Sequence, residues 1–95
     1  MTTGYIYIQQ NTSQWLGSNP QSGDWISHLV IIPQTKKVGK VVLSDGAIDI
    51  ITYQGGILTG DLTPIYIPLE IHCKNAGFKL TVNDGVNVIA VGDFK

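Results

Sequence analysis

The run Ile65-Tyr66-Ile67-Pro68-Leu69-Glu70-Ile71-His72-Cys73 alternates without a break. Ile65, Ile67, Leu69, Ile71 and Cys73 fall on one side of an extended chain; Tyr66, Pro68, Glu70 and His72 fall on the other. Side chains reverse direction at each residue of a strand. The pattern therefore demands a sheet with one face in a core and the other in water or against a partner. Pro68 has no N–H for a central ladder, which places this strand at an edge or beside a bulge.

The rest of the chain agrees. No window has helical periodicity, and the apolar residues come in short β-branched runs cut by Gly, Pro and Asp-Gly. The expected fold is all-β, a single domain over residues 1–95. About six or seven mainly antiparallel strands would form a sandwich or small barrel, with Greek-key or jelly-roll-like connections. Long crossovers alternating with tight turns favour the sandwich. Residues 1–9 read as a strand or as an arm exchanged with a neighbouring subunit. Residues 10–24, with Trp15 and Leu16 in their middle, read as a long polar loop.

Two look-alike segments, KVVLSDGAIDII from Lys40 and KLTVNDGVNVIA from Lys79, raise the question of a duplicated site. Matching faces makes both of them hairpins. A two-residue loop Asp45-Gly46 sets Leu43 against Ile48 and Val41 against Ile50. A three-residue loop Asn83-Asp84-Gly85 sets Val82 against Val86, Leu80 against Val88 and Phe78 against Ala90, with Gly85 left-handed.

Composition narrows the function classes. Charged residues are 14% of the chain, against roughly 25% in ordinary soluble domains. A surface of Thr, Ser, Asn and Gln suits a protein partly covered by a partner. The formal net charge is -1 and every cation is a lysine, which argues against nucleic acid as a ligand. The single cysteine, Cys73, allows neither an intrachain disulfide nor a thiolate metal cluster. No basic start leading into an apolar run marks a signal peptide. The apolar runs fall far short of the roughly 20 residues a spanning helix needs, so a membrane is not an expected partner.

Catalytic chemistry has little to work with. His28 shares strand parity with Ile26, Val30 and Ile32 and reads as a hydrogen-bonded histidine near the core. His72 shares a face with Glu70, as polar neighbours on wet strands commonly do. Cys73 points away from His72 and reads as a small buried hydrophobe. Asp45, Asp49 and Asp84 are too few and too scattered for calcium, which takes six to eight oxygens. The chain is therefore expected to be non-enzymatic, with no cofactor and no metal. The candidate contact residues are Trp15, Leu16, Trp25, Tyr5, Tyr7 and Tyr66. The two tryptophans, near Asn19, Gln21 and Asp24, suit an end-plug of the core, a subunit interface or a sugar platform.

The segment TGDLTPIYIPLEIHCKNAGFKLTVNDGVNVIAVGDF (residues 59–94), with fainter support from LVIIPQTKKVGKVVLSDG (residues 29–46), resembles the small all-β virion proteins of tailed bacteriophages. Those proteins decorate or cement the capsid or lie beside the tail. The resemblance implies a structural protein, often a homotrimer, whose partners are itself and a major capsid or other virion protein. It implies a place in the virion, assembled in the host cytoplasm. The alternative expectation is a carbohydrate-binding or receptor-binding accessory module that recognises a surface glycan.

Overall fold

The computed structural model describes residues 4–17, 24–60, 62–73 and 77–94. Its strands are β1 (Gly4–Ile8), β2 (Thr12–Trp15), β3 (Trp25–Pro33), β4 (Lys37–Val38), β5 (Val41–Asp45), β6 (Ile48–Tyr53), β7 (Gly56–Ile57), β8 (Ile65–His72), β9 (Phe78–Val82) and β10 (Val86–Asp93). The chain is all-β, and the strands are more numerous than the alternation suggested. The short pair β4 and β7 and the strand β2 are what sequence reading left in loops.

One rule organises the pairing. β1 lies against β10, β2 against β9, β3 against β8, β4 against β7 and β5 against β6, all antiparallel. The chain is thus one long hairpin folded back at the β5–β6 turn. Two further pairings, β10 with β3 and β9 with β5, roll that hairpin up. The result is one four-stranded sheet in the order β1-β10-β3-β8, another in the order β2-β9-β5-β6, and the two-stranded β4-β7. With β4 and β7 set aside, this is the eight-stranded jelly roll, as the alternation of crossovers and tight turns led one to expect.

Both sheets turn an apolar face inward. Across the first sheet, Ile8, Val88, Ile31 and Ile65 form one inner row, and Ile6, Ala90, Leu29 and Ile67 the next. The second sheet supplies Val41, Leu43, Phe78, Leu80 and Val82, with Leu16 just beyond β2 and Val38 from β4. Leu16 is therefore core and not a contact residue. Its amide donates to the Phe78 carbonyl at 2.9 Å, continuing the β2–β9 ladder beyond Trp15. The same ladder corrects the long loop of residues 10–24. Four of those residues are strand, because β9 offers Thr12–Trp15 a full set of partners that outweighs their modest β-propensity. Residues 18–23, including Asn19 and Gln21, lie outside the described residues. Asp24 is fully buried, and its carbonyl accepts the Cys73 N–H at 2.9 Å. It cannot be a surface sugar contact. Cys73 itself is half-buried, packed against the core from its rim.

The SDG turn sits one residue later than face-matching placed it. Asp45 pairs with Ile48, so Gly46 and Ala47 make the turn. Only Gly46 has positive φ, at 64°, the pattern of a type II′ hairpin. A bulge then skips Ile50, and Leu43 meets Ile51 while Val41 meets Tyr53. The expected face of Leu43, Ile48, Val41 and Ile50 is therefore not formed; Ile48 is 58% exposed and Ile50 is exposed too. The reason is that Asp45 belongs to the strand. It is buried, it pairs with Phe78 on its other side, and its Oδ1 accepts the Gly77 N–H at 3.2 Å. Asp45→Ala is expected to cost about 1–3 kcal/mol, because a buried hydrogen bond is lost and the Gly77 amide is stranded. Urea titration, with an unchanged slope and a lower midpoint, is the measure.

The NDG segment is not a hairpin. β9 and β10 belong to different sheets, so residues 83–85 carry the chain from one layer to the other. Val82, Val86, Leu80, Val88, Phe78 and Ala90 are all buried, as the face argument required. They face one another across the core instead of pairing along a ladder. Gly85 does take a left-handed φ of 77°. Around it the end of the sandwich is tied shut. The Gly85 amide donates to Gln10 Oε1 at 2.8 Å, while the Gly85 carbonyl accepts from Gln34 at 2.8 Å. The Asp84 carbonyl accepts from Gly39 at 2.7 Å, and Asn83 Nδ2 donates to the Lys40 carbonyl at 2.6 Å. Three separate connections thereby converge on one turn.

Candidate functional site

The two outer faces of the sandwich differ in chemistry. On the second sheet, register puts Trp15, Lys79, Ser44 and Asp49 in one outer row and Ser13, Thr81, Val42 and Thr52 in the next. Hydroxyls and charges dominate there. Ser13 and Thr81 share a hydrogen bond at 3.0 Å, and Lys79 Nζ stands 5.7 Å from the Trp15 ring centroid. That cation–π contact is a solvent-exposed one, the weak kind.

On the first sheet the rows are Tyr5, Val91, His28 and Pro68, then Tyr7, Ile89, Val30 and Tyr66, then Asn87 and Ile32. These three rows carry no formal charge. Tyr5 is 73%, Tyr66 61% and Tyr7 47% exposed, and the aliphatic residues between them are half-buried. Tyrosine offers a broad apolar ring at small entropic cost and is enriched among residues that anchor protein contacts.

Parts of this face are held in place. Asn87 Nδ2 donates to the Tyr7 hydroxyl at 2.6 Å, and its Oδ1 accepts the Gln10 N–H at 2.8 Å. Asn87 thus links the Tyr7 ring to the clasp around Gly85. At the other edge the His28 and Tyr66 rings lie 4.8 Å apart at 42°, and Ser27 Oγ sits 3.0 Å from His28 Nδ1. His28 is on the outer face and not beside the core. A bulge falls between Ile26 and His28, so the parity that grouped them fails there. The partner strand β8 absorbs that bulge at Leu69 and Glu70, where Glu70 has a φ of 53°. Pro68 precedes it on an edge strand, as its chemistry demanded.

Of the residues singled out in sequence, Tyr5, Tyr7 and Tyr66 come together on this face. Trp15 does not; it projects from the opposite sheet. Trp25 lies at the start of β3 with its ring 6.4 Å from that of His72. The two tryptophans therefore form no joint platform for a sugar ring. Sequence reading missed Val30, Ile32, Asn87, Ile89 and Val91. The run VNVIAV, apolar on both sides of the strand except at Asn87, was the available signal. Among the described residues no three of His, Cys, Asp and Glu gather as a metal site.

No family model, curated protein or solved structure matches this chain.

Proposed function

We propose that the chain is a non-enzymatic structural protein of a phage particle. It decorates or cements the shell, docking by the outer face of its first sheet. The observation that carries this reading is the contrast between that uncharged, tyrosine-bearing set of three rows, which ends at a row of Asp93, Trp25 and His72, and the hydroxyl-rich face opposite. Such an asymmetry suits a protein seated on a surface, with its apolar side against that surface and its wet side in solvent. The jelly-roll topology and the likeness of residues 59–94 to phage virion proteins support the reading. Topology alone does not decide function, since lectin and enzyme domains share it.

The experiment is co-sedimentation of the purified protein with purified shells of the encoding phage. Ile89→Lys puts a charge at the centre of the face and is expected to weaken shell binding at least about tenfold, given the cost of burying an unpaired charge. Thr81→Lys, on the opposite face, is expected to bind as the parent does. Absence of the parent from the shell pellet, or equal loss in the two variants, overturns the proposal.

A further inference from the structure

Among the described residues the two sheets have four edges, and three are guarded against pairing with another strand. β8 carries Pro68 and the Leu69–Glu70 bulge. β6 carries Asp49 and the bulge at Ile50. β2 is very short, four residues that are polar but for Trp15. The fourth edge, β1, reads Gly-Tyr-Ile-Tyr-Ile. It has no charge and no proline, and it keeps an unshifted one-to-one register with β10 over all five residues. An edge of that kind offers a row of backbone donors and acceptors to an incoming strand.

We propose that the incoming strand is β1 of a second copy. The two would run antiparallel about a two-fold axis at Ile6, fusing two first sheets into one of eight strands. Self-complementarity selects this occupant. Centred on Ile6, the pairing sets Tyr5 of each copy opposite Tyr7 of the other on the outer side. Ile6 meets Ile6, and Gly4 meets Ile8, on the inner side. Every side chain keeps the face that it already has against β10. Aromatic cross-strand pairs are favourable, and no like charges come together, because the strand has none. A charged partner finds no counter-charge along this edge. Head-to-tail addition through β8 is blocked by Pro68 and the bulge, so the contact closes as a dimer and does not propagate as a filament. This goes beyond shell docking: it uses the edge of the sheet, not its face, and concerns the free protein. Five residues span only about 17 Å of edge, well short of a standard interface, so the dimer is of the weak, concentration-dependent class.

The test is light scattering of the free chain across a concentration series. The expected result is a monomer–dimer equilibrium in the micromolar range, with amide protection of residues 4–8 rising with concentration. A chain carrying Tyr5→Lys and Tyr7→Lys sets lysines against lysines across the two-fold axis. It is expected to dimerise at least about tenfold more weakly. A chain carrying Tyr5→Glu and Tyr7→Glu does the same, and an equimolar mixture of the two recovers the dimer. Recovery on mixing also shows that both variants fold. A parent that stays monomeric, a parent of trimeric mass, or charge variants that fail to recover together overturns the proposal. Dimerisation is read on the free chain without shells, and Ile89→Lys, which leaves β1 unchanged, is expected to dimerise as the parent does, so failure of the dimer and failure of shell docking are distinguished.

Discussion

Truncating Phe78 to alanine is expected to remove about 3–5 kcal/mol of stability, the largest single loss in this molecule. Phe78 is fully buried and is the largest of the side chains with no exposure. It stands at the start of β9, beside Asp45 of β5, and its carbonyl holds the Leu16 amide. It belongs to the same buried cluster as Leu16, Leu43 and Leu80, so its truncation opens a cavity between the two sheets. A domain of this size has roughly 5–15 kcal/mol in total, so the variant sits near the threshold of folding. Urea unfolding is expected to show a much lower midpoint, and thermal unfolding a Tm at least about 12 °C lower. A loss below about 1 kcal/mol would mean that the two sheets do not share this core.

Gly85→Ala is the second large effect, for a different reason. At a φ of 77° an alanine carries the strain of the left-handed region, about 1–2 kcal/mol. Its Cβ would also run into the Lys37 carbonyl and come within 2.8 Å of Thr35 Oγ1. The clasp has to open to make room, releasing the bonds to Gln34, Gly39 and Gln10. A total of at least about 2 kcal/mol is expected. Amide exchange should rise first at Gln34, Gly39 and Asn83. Gly60→Ala meets nothing within 4 Å and is the control, expected to fall within about 0.5 kcal/mol of the parent.

These two residues also mark how far sequence reading reached. Phe78, Leu80 and Val82 were legible as one apolar face, and Val86, Val88 and Ala90 as another, because strand parity is a local property. That the two faces oppose each other across a core, instead of lying side by side, was not legible. Either arrangement buries the same residues, and a hairpin and a cross-sheet turn both accept Asn-Asp-Gly. The candidate face was half visible. Tyr5, Tyr7 and Tyr66 stood out as large polar-tipped rings in strands, but they come from opposite edges of a sheet whose middle strands are β10 and β3. Only strand order could bring them to one surface and send Trp15 to the other.

The SDG and NDG segments make the same division. Sequence alone determined that both are turns, since Asp-Gly between β-branched runs supplies the positive φ that a reversal needs. It also determined the all-β class, the inward parity of β8 and the edge position of Pro68. Tertiary structure decided that SDG is the tip of the long hairpin and NDG the clasp at its rolled end. It decided this through Asp45, drawn into its strand by Gly77 and Phe78, and through Gln10, Gln34 and Gly39, which converge on residues 83–85 from distant parts of the chain. Local chemistry fixes where a chain turns. Which strand it turns toward depends on pairings between residues as far apart as Gly4 and Gly92, and no local pattern records those.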